Sequence, residues 1–281
     1  MAHDELIADY LAPMSPLPAA LRPGGSLAGE IQCILFDIYG TLFISDSGDI
    51  SIAAKSSSRI DQLAYLAQKY DIGKKPQTLV TELHGAIQAK HRELRGSGID
   101  YPEIRIDEIW QPILGIDDIL RVRKFAIEYE LIVNPVYPMP HLETLLAACR
   151  QKSLAMGIIS NAQFFTPLLF EWFLDARLEQ LGFDSELVFL SYQLGYAKPS
   201  MVPFKMAASA INAKGFDTGA ALFVGNDMLN DIYPAHRLGY QTALFAGDAR
   251  SLRLRTDESR CSNLSADLIL TDLAQLIGHL T

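Results

Sequence analysis

Ile34-Leu35-Phe36-Asp37-Ile38-Tyr39-Gly40-Thr41-Leu42 is the stretch on which the reading of this chain turns. The run from Ile31 to Phe36 is apolar apart from Gln32 and Cys33, and reads as a buried parallel strand. It stops at a carboxylate, and Gly-Thr follows three residues on. Open α/β sheets bind ligands at the carboxyl ends of their strands. Taken alone, Asp37 is as readily a helix cap or loop residue as a functional acid. The later strand ends decide between these.

Downstream, the pattern switches between two periods. Residues 46–134 show helical spacing throughout: 58–70 with Ile60, Leu63 and Leu66 on one face, then 77–94, 107–114 and 117–131. From residue 135 an alternation of strands and helices resumes. Helix 142–151, strand 154–159 and a helical stretch 164–181 come first. Strand 187–190, helix 203–212, strand 220–224 and helix 230–238 follow, then strand 240–245 and the final pair 268–270 and 273–280. Strands separated by helices imply a mostly parallel sheet covered on both faces. The expected class is therefore α/β, a Rossmann-like core of residues 31–45 plus 135–281 interrupted by a small helical cap, 46–134. Residues 1–30 read as an arm, with a short helix at 4–11 and a Pro- and Gly-rich linker at 13–25.

The composition narrows the function classes. The 281 residues are 49% hydrophobic and 20% charged, enough for a sizeable core. A net charge of −9 argues against a nucleic-acid-binding surface, while leaving room for a locally basic pocket for a small anion. The three cysteines, Cys33, Cys149 and Cys261, are far apart and form no disulfide framework, which fits a reducing, cytoplasmic setting. No basic leader with an apolar run opens the chain, and no stretch of about 20 apolar residues is long enough to span a membrane. The dense aromatic run Phe164, Phe165, Phe170, Trp172 and Phe173 reads as core packing, or as a homodimer surface if several of its members are exposed.

Four strand ends carry polar groups: Asp37 with Thr41, Ser160-Asn161, Lys198-Pro199, and Gly225-Asn226-Asp227-Met228-Leu229-Asn230-Asp231. Each is weak alone, since Ser160 could cap a helix and Asp227 or Asp231 could serve a helix start. In this order they resemble the four motifs of the haloacid dehalogenase-like hydrolase superfamily, over essentially residues 31–281. The resemblance implies a nucleophile at Asp37 and hydrogen-bond donors at Thr41 and Ser160. It also implies an anion-holding pair of Ser160 and Lys198, with Asn161 beside them, and metal-binding or pocket-organising groups in Asn226–Asp231. The cap would select the substrate. The chemistry is coherent: a carboxylate forms a covalent ester that water then hydrolyses. A divalent metal and a lysine offset the repulsion when the target is a phosphoryl group.

The function first implied is a Mg²⁺-dependent phosphatase of a small phosphorylated metabolite, with Asp37, the Tyr39 carbonyl and either Asn226 or Asp227 with Asp231 as the oxygen ligands. Two positions depart from that pattern. Tyr39 stands where the family's phosphatases carry a second Asp as general acid and base, and Asn226 stands where the first metal carboxylate is expected. Tyr39 is instead similar to the family's metal-independent 2-haloacid dehalogenases, the alternative function. Against it, Arg59 aligns insecurely with their cap arginine, and Phe204 replaces a usual Tyr. A third reading, a catalytically weak binding or regulatory protein, follows from the two missing acids. No Gly-rich dinucleotide or phosphate loop and no Gly-x-Ser-x-Gly elbow is present.

Overall fold

A computed structural model of the protein describes residues 10–46 and 57–280. Residues 4–9 of the expected N-terminal helix lie outside them. A seven-stranded sheet forms the body, from β1 (Gly24–Gly25), β2 (Cys33–Phe36), β5 (Ala155–Ser160), β6 (Phe183–Leu190), β7 (Ala221–Gly225), β8 (Gln241–Phe245) and β9 (Leu268–Leu270). Its order is β1-β9-β8-β7-β2-β5-β6, parallel except for β1. β2 lies between β5 and β7, with Phe36 opposite both Ile158 and Val224. The chain leaves β2 toward β5 and β6, then returns to build β7, β8 and β9 on the other side. The order thus reverses at β2, and the crevice opened there lies at the end of Asp37.

The central strands are apolar on both sides because helices cover both faces. α5 (Leu142–Gln151), α6 (Leu168–Leu174) and α10 (Leu273–Ile277) belong to the cluster containing Phe36, Ile158 and Val224. α8 (Met201–Ala213) and α9 (Tyr233–Arg237) pack with Leu35, Phe223 and Tyr240 on the opposite face. The short α7 (Ser191–Leu194) follows β6 directly.

Between β2 and β5 the chain makes a two-stranded antiparallel ribbon, β3 (Phe43–Ser45) with β4 (Val136–Pro138). From it extend α1 (Ser57–Lys69), α2 (Pro76–Gly96), α3 (Ile106–Leu114) and α4 (Ile119–Val133). Local chemistry sets their ends. Pro76 opens α2, where its missing N–H costs nothing. Gly115, in the left-handed region, closes α3, and the Asp118 carboxylate caps α4 through Leu120 N. These helices enclose their own apolar cluster. Trp110 is fully buried, its ring 5.0 Å from Phe125 and 4.8 Å from Tyr129. Burying a side chain of this kind is worth about 1.5–3 kcal/mol.

Three sequence expectations change in detail. The helical stretch 164–181 contracts to α6, because Pro167 and the turn closed by Thr166 precede it and Asp175, at φ 49°, stops it. Helix 230–238 begins as a widened π-helical turn over Met228–Ile232. The linker at 13–25 ends in β1, which pairs with the sheet edge. None of the five aromatics at 164–173 is exposed; all pack into the apolar clusters.

Candidate active site

The strand register brings the polar strand ends together. Asp37, whose N–H is held by Val224 O, is buried, and its Oδ1 accepts hydrogen bonds from Ser160 Oγ (2.8 Å) and Lys198 Nζ (2.7 Å). Lys198 also donates to Asp231 Oδ1 at 2.6 Å. The other Asp231 oxygen accepts the backbone N–H groups of Asn226 and Asp227, at 3.0 and 2.9 Å. Asn161 makes no hydrogen bond to Asp37. Its amide grips the main chain of Lys198, accepting from the N–H at 2.7 Å and donating to the carbonyl at 3.2 Å. Thr41 is fully buried and points at Asn226 Oδ1, 3.5 Å away.

Two glycines make this packing possible. At Gly40, φ is +80°, and a Cβ would lie 2.4 Å from Asn226 Nδ2 and 2.5 Å from Ser251 Cβ. At Gly225 a Cβ would lie 2.4 Å from Asp231 Cγ. Only a glycine at the end of β7 lets Asp231 fold back beneath it.

Burial works to lower the Lys198 pKa, but the carboxylates of Asp231 and Asp37 outweigh it and hold the ammonium above its ordinary value. Burial, then the neighbouring Asp37 and Asp227, push the Asp231 carboxyl up against the pull of Lys198. Asp227 is engaged elsewhere. Arg255 binds it through two nitrogens, at 2.5 and 3.0 Å, and its Oδ1 caps the following turn through Leu229 and Asn230. The Tyr39 hydroxyl pairs with Thr166 Oγ1 at 3.0 Å, and burial raises its pKa far above the ordinary phenol value, with Glu130 and Asp37 adding to the effect.

Asp37, Tyr39, Lys198, Asn226, Asp227 and Asp231 line a cavity of about 410 Å³ between the sheet and the cap. The family model for haloacid dehalogenase-like hydrolases matches residues 31–239. The chain belongs to the haloacid dehalogenase-like hydrolases. Among curated proteins none matches it. Solved structures of similar fold include a 2-haloacid dehalogenase from Pseudomonas syringae pv. Tomato (TM-score 0.55, 19% identity, covering 89% of this chain and 98% of that one). Another is a HAD phosphatase from Thermococcus onnurineus (TM-score 0.52, 18% identity, 89% and 98% covered). A defluorinating L-2-haloacid dehalogenase matches over 94% of this chain and 99% of its own (TM-score 0.55, 16% identity). At these identities the likeness is one of fold.

The donor set for Mg²⁺ in this hydrolase is lean. Among the described residues no group of three His, Cys, Asp or Glu side chains is arranged to hold a metal. Both Asp227 oxygens face Arg255, and both Asp231 oxygens are taken by Lys198 and main-chain N–H groups. Asp37 Oδ2 accepts no hydrogen bond among the described residues, which leaves it as a donor for a small hard cation.

Several cavity residues were not singled out in the sequence. Glu103 and Glu130 reach in from the cap side, each with its pKa raised by burial. Ser251, Arg253 and Arg255 come from the segment after β8, whose Ser251-Leu252-Arg253-Leu254-Arg255 alternation is a strand-like period of two. That alternation was the available signal. Of the residues weighed for the dehalogenase reading, Arg59 pairs with Asp46, and Phe204 packs on Phe223 at 5.1 Å.

Proposed function

We propose that this hydrolase acts on a small anionic substrate by direct displacement at carbon, with Asp37 as nucleophile and a leaving group that departs without a proton. The observation that carries the reading is the enclosed phenol of Tyr39. A phosphate monoester expels an alkoxide, which needs a proton donor near neutral pH, and a phenol shifted above its ordinary pKa does not serve. A halide needs none. In the proposed reaction Asp37 attacks the carbon bearing the halogen, forming a C–O ester bond as the carbon–halogen bond breaks and halide leaves. Water then attacks the ester carbonyl; its oxygen stays on Asp37, one of its protons passes to the departing oxygen to give the hydroxy product, and the other goes to solvent, which regenerates the Asp37 carboxylate. Ser160 and Lys198 orient the attacking carboxylate through its Oδ1.

The second reading, a Mg²⁺-dependent phosphatase, is favoured by the oxygens of Asp37, the Tyr39 carbonyl and Asn226. A bound Mg²⁺ would there supply positive charge to a phosphoryl group. The reducing cytoplasm as location is supported by three unpaired, buried cysteines. Among the described residues no helix is long and apolar enough to cross a membrane.

The test is a panel of 2-haloacids and aryl and alkyl phosphates, each assayed with chelator and with Mg²⁺. Halide release in chelator, lost in Asp37→Asn, is the expected result. Phosphate release that requires Mg²⁺, with no halide released from any haloacid, would establish the phosphatase instead.

A further inference from the structure

The cavity contains three cations, and two are neutralised by neighbouring carboxylates. Lys198 is held between Asp37 and Asp231, and Arg255 is held by Asp227. Arg253 has no carboxylate partner among the described residues. Its Nη1 donates to the carbonyls of Arg250 and Leu252, at 2.7 and 3.0 Å, and no hydrogen bond from Nε or Nη2 is formed within the described chain.

The backbone fixes where this guanidinium sits. Arg253 N donates to Asn226 O and Arg253 O accepts from Met228 N, so the residue is tied on both sides to the segment that carries Asp231. Ser251, Arg253 and Arg255 all line the cavity, whereas Leu252 packs into a small apolar cluster and Leu254 is exposed. The guanidinium is thus held on a strand-like segment, half-buried, with one edge of its donor fork uncommitted. That edge matches the two oxygens of a carboxylate.

We propose that Arg253 is the specificity-determining residue of this site and receives a carboxylate group of the substrate that is separate from the reacting centre. The inference rests on the reading of the cavity as a displacement site at Asp37, and it names the substrate group that the rest of the cavity does not bind. A carboxylate is preferred to a phosphate on charge. The cavity has five carboxyl groups, Asp37, Glu103, Glu130, Asp227 and Asp231, against its three cations. A dianion would meet more repulsion there than a monoanion of the same size.

The experiment is calorimetric binding of 2-chloropropionate and its neutral amide to the Asp37→Asn protein, alone and combined with Arg253→Gln or Arg253→Lys. Binding is read without turnover, so failure of the displacement chemistry leaves it interpretable. The Asp37→Asn protein is expected to prefer the acid over the amide by about tenfold or more. Arg253→Gln should abolish that preference and leave amide binding unchanged, while Arg253→Lys should retain part of it. Melting temperatures identify a variant that does not fold, in which case the lysine variant carries the test. Equal binding of acid and amide before Arg253 is changed overturns the proposal, as does a preference that survives Arg253→Gln. Arg253-dependent binding of inorganic phosphate in place of the acid also overturns it.

Discussion

Tyr39 follows Asp37 by two residues, and the fold commits its hydroxyl to a neighbouring side chain. The hydroxyl meets Thr166 Oγ1, whose oxygen also accepts the N–H of Gln163, so the ring is tied to the turn before α6. Tyr39→Phe should therefore lower stability by about 1 kcal/mol, the net worth of a buried neutral hydrogen bond. It should leave turnover well short of the roughly 10²–10⁴-fold loss that follows removal of a proton carrier. Steady-state kinetics beside urea unfolding checks both halves; a large loss of kcat with normal stability would return the phenol to the mechanism. The identity of Tyr39 was legible in the sequence and already set it apart from an acid. Its partner was not, because Thr166 lies 127 positions away and only the packing of α6 against the strand ends makes them neighbours.

At the scale of elements, the segment 100–106, which leads into α3, is stitched to the loop around Lys198. Glu103 N donates to Gly195 O, Ala197 N donates to Tyr101 O, and Ser200 Oγ donates to Asp100 Oδ1. Within this seam the Glu103 carboxylate accepts from Ser191 Oγ at 2.7 Å and from Ile104 N at 2.9 Å. Burial raises its pKa despite those bonds. The folded chain therefore holds this proton to higher pH than the unfolded chain does. The contribution of Glu103 to stability accordingly falls as pH rises from the usual carboxylate range through the raised value. Glu103→Gln removes the titration, so the stability difference should shift in the variant's favour as pH rises from the usual carboxylate range. Urea unfolding across that rise measures it, and a shift toward the wild type would contradict the assignment. Nothing in the local sequence marks Glu103, since its significance comes from an element some ninety residues later.

For the molecule as a whole, this seam and the β3–β4 ribbon are two separate attachments of the cap helices to the sheet. A third comes from the arm: Tyr10 donates to the buried Glu128 of α4 at 2.8 Å, while Leu17 N binds Asp248 Oδ1 and β1 pairs with β9. With three attachments the cap should open as part of a concerted event. The Glu103 and Ala197 amides should then exchange their hydrogens at similar, slow rates. Native-state hydrogen exchange tests this; rapid exchange at both, beside a protected β2, would mean that the cap swings open independently.

The sequence by itself determined the architecture of this protein. Apolar runs of four to six residues alternate with amphipathic helices, a pattern that suits a parallel sheet covered on both faces, and the helical spacing within 46–134 interrupts it once. The polar residues at the strand ends were equally readable, because in such a sheet those ends share one edge. What only the tertiary structure decided was the state of each charge there. Lys198 is held between Asp37 and Asp231, Arg255 claims Asp227, and Arg253 is left facing the cavity. The physical reason is that a carboxylate is a metal ligand, a salt-bridge partner or a helix cap according to what lies within about 3 Å of it. Those neighbours arrive from strands and loops remote in the chain, which local spacing does not record.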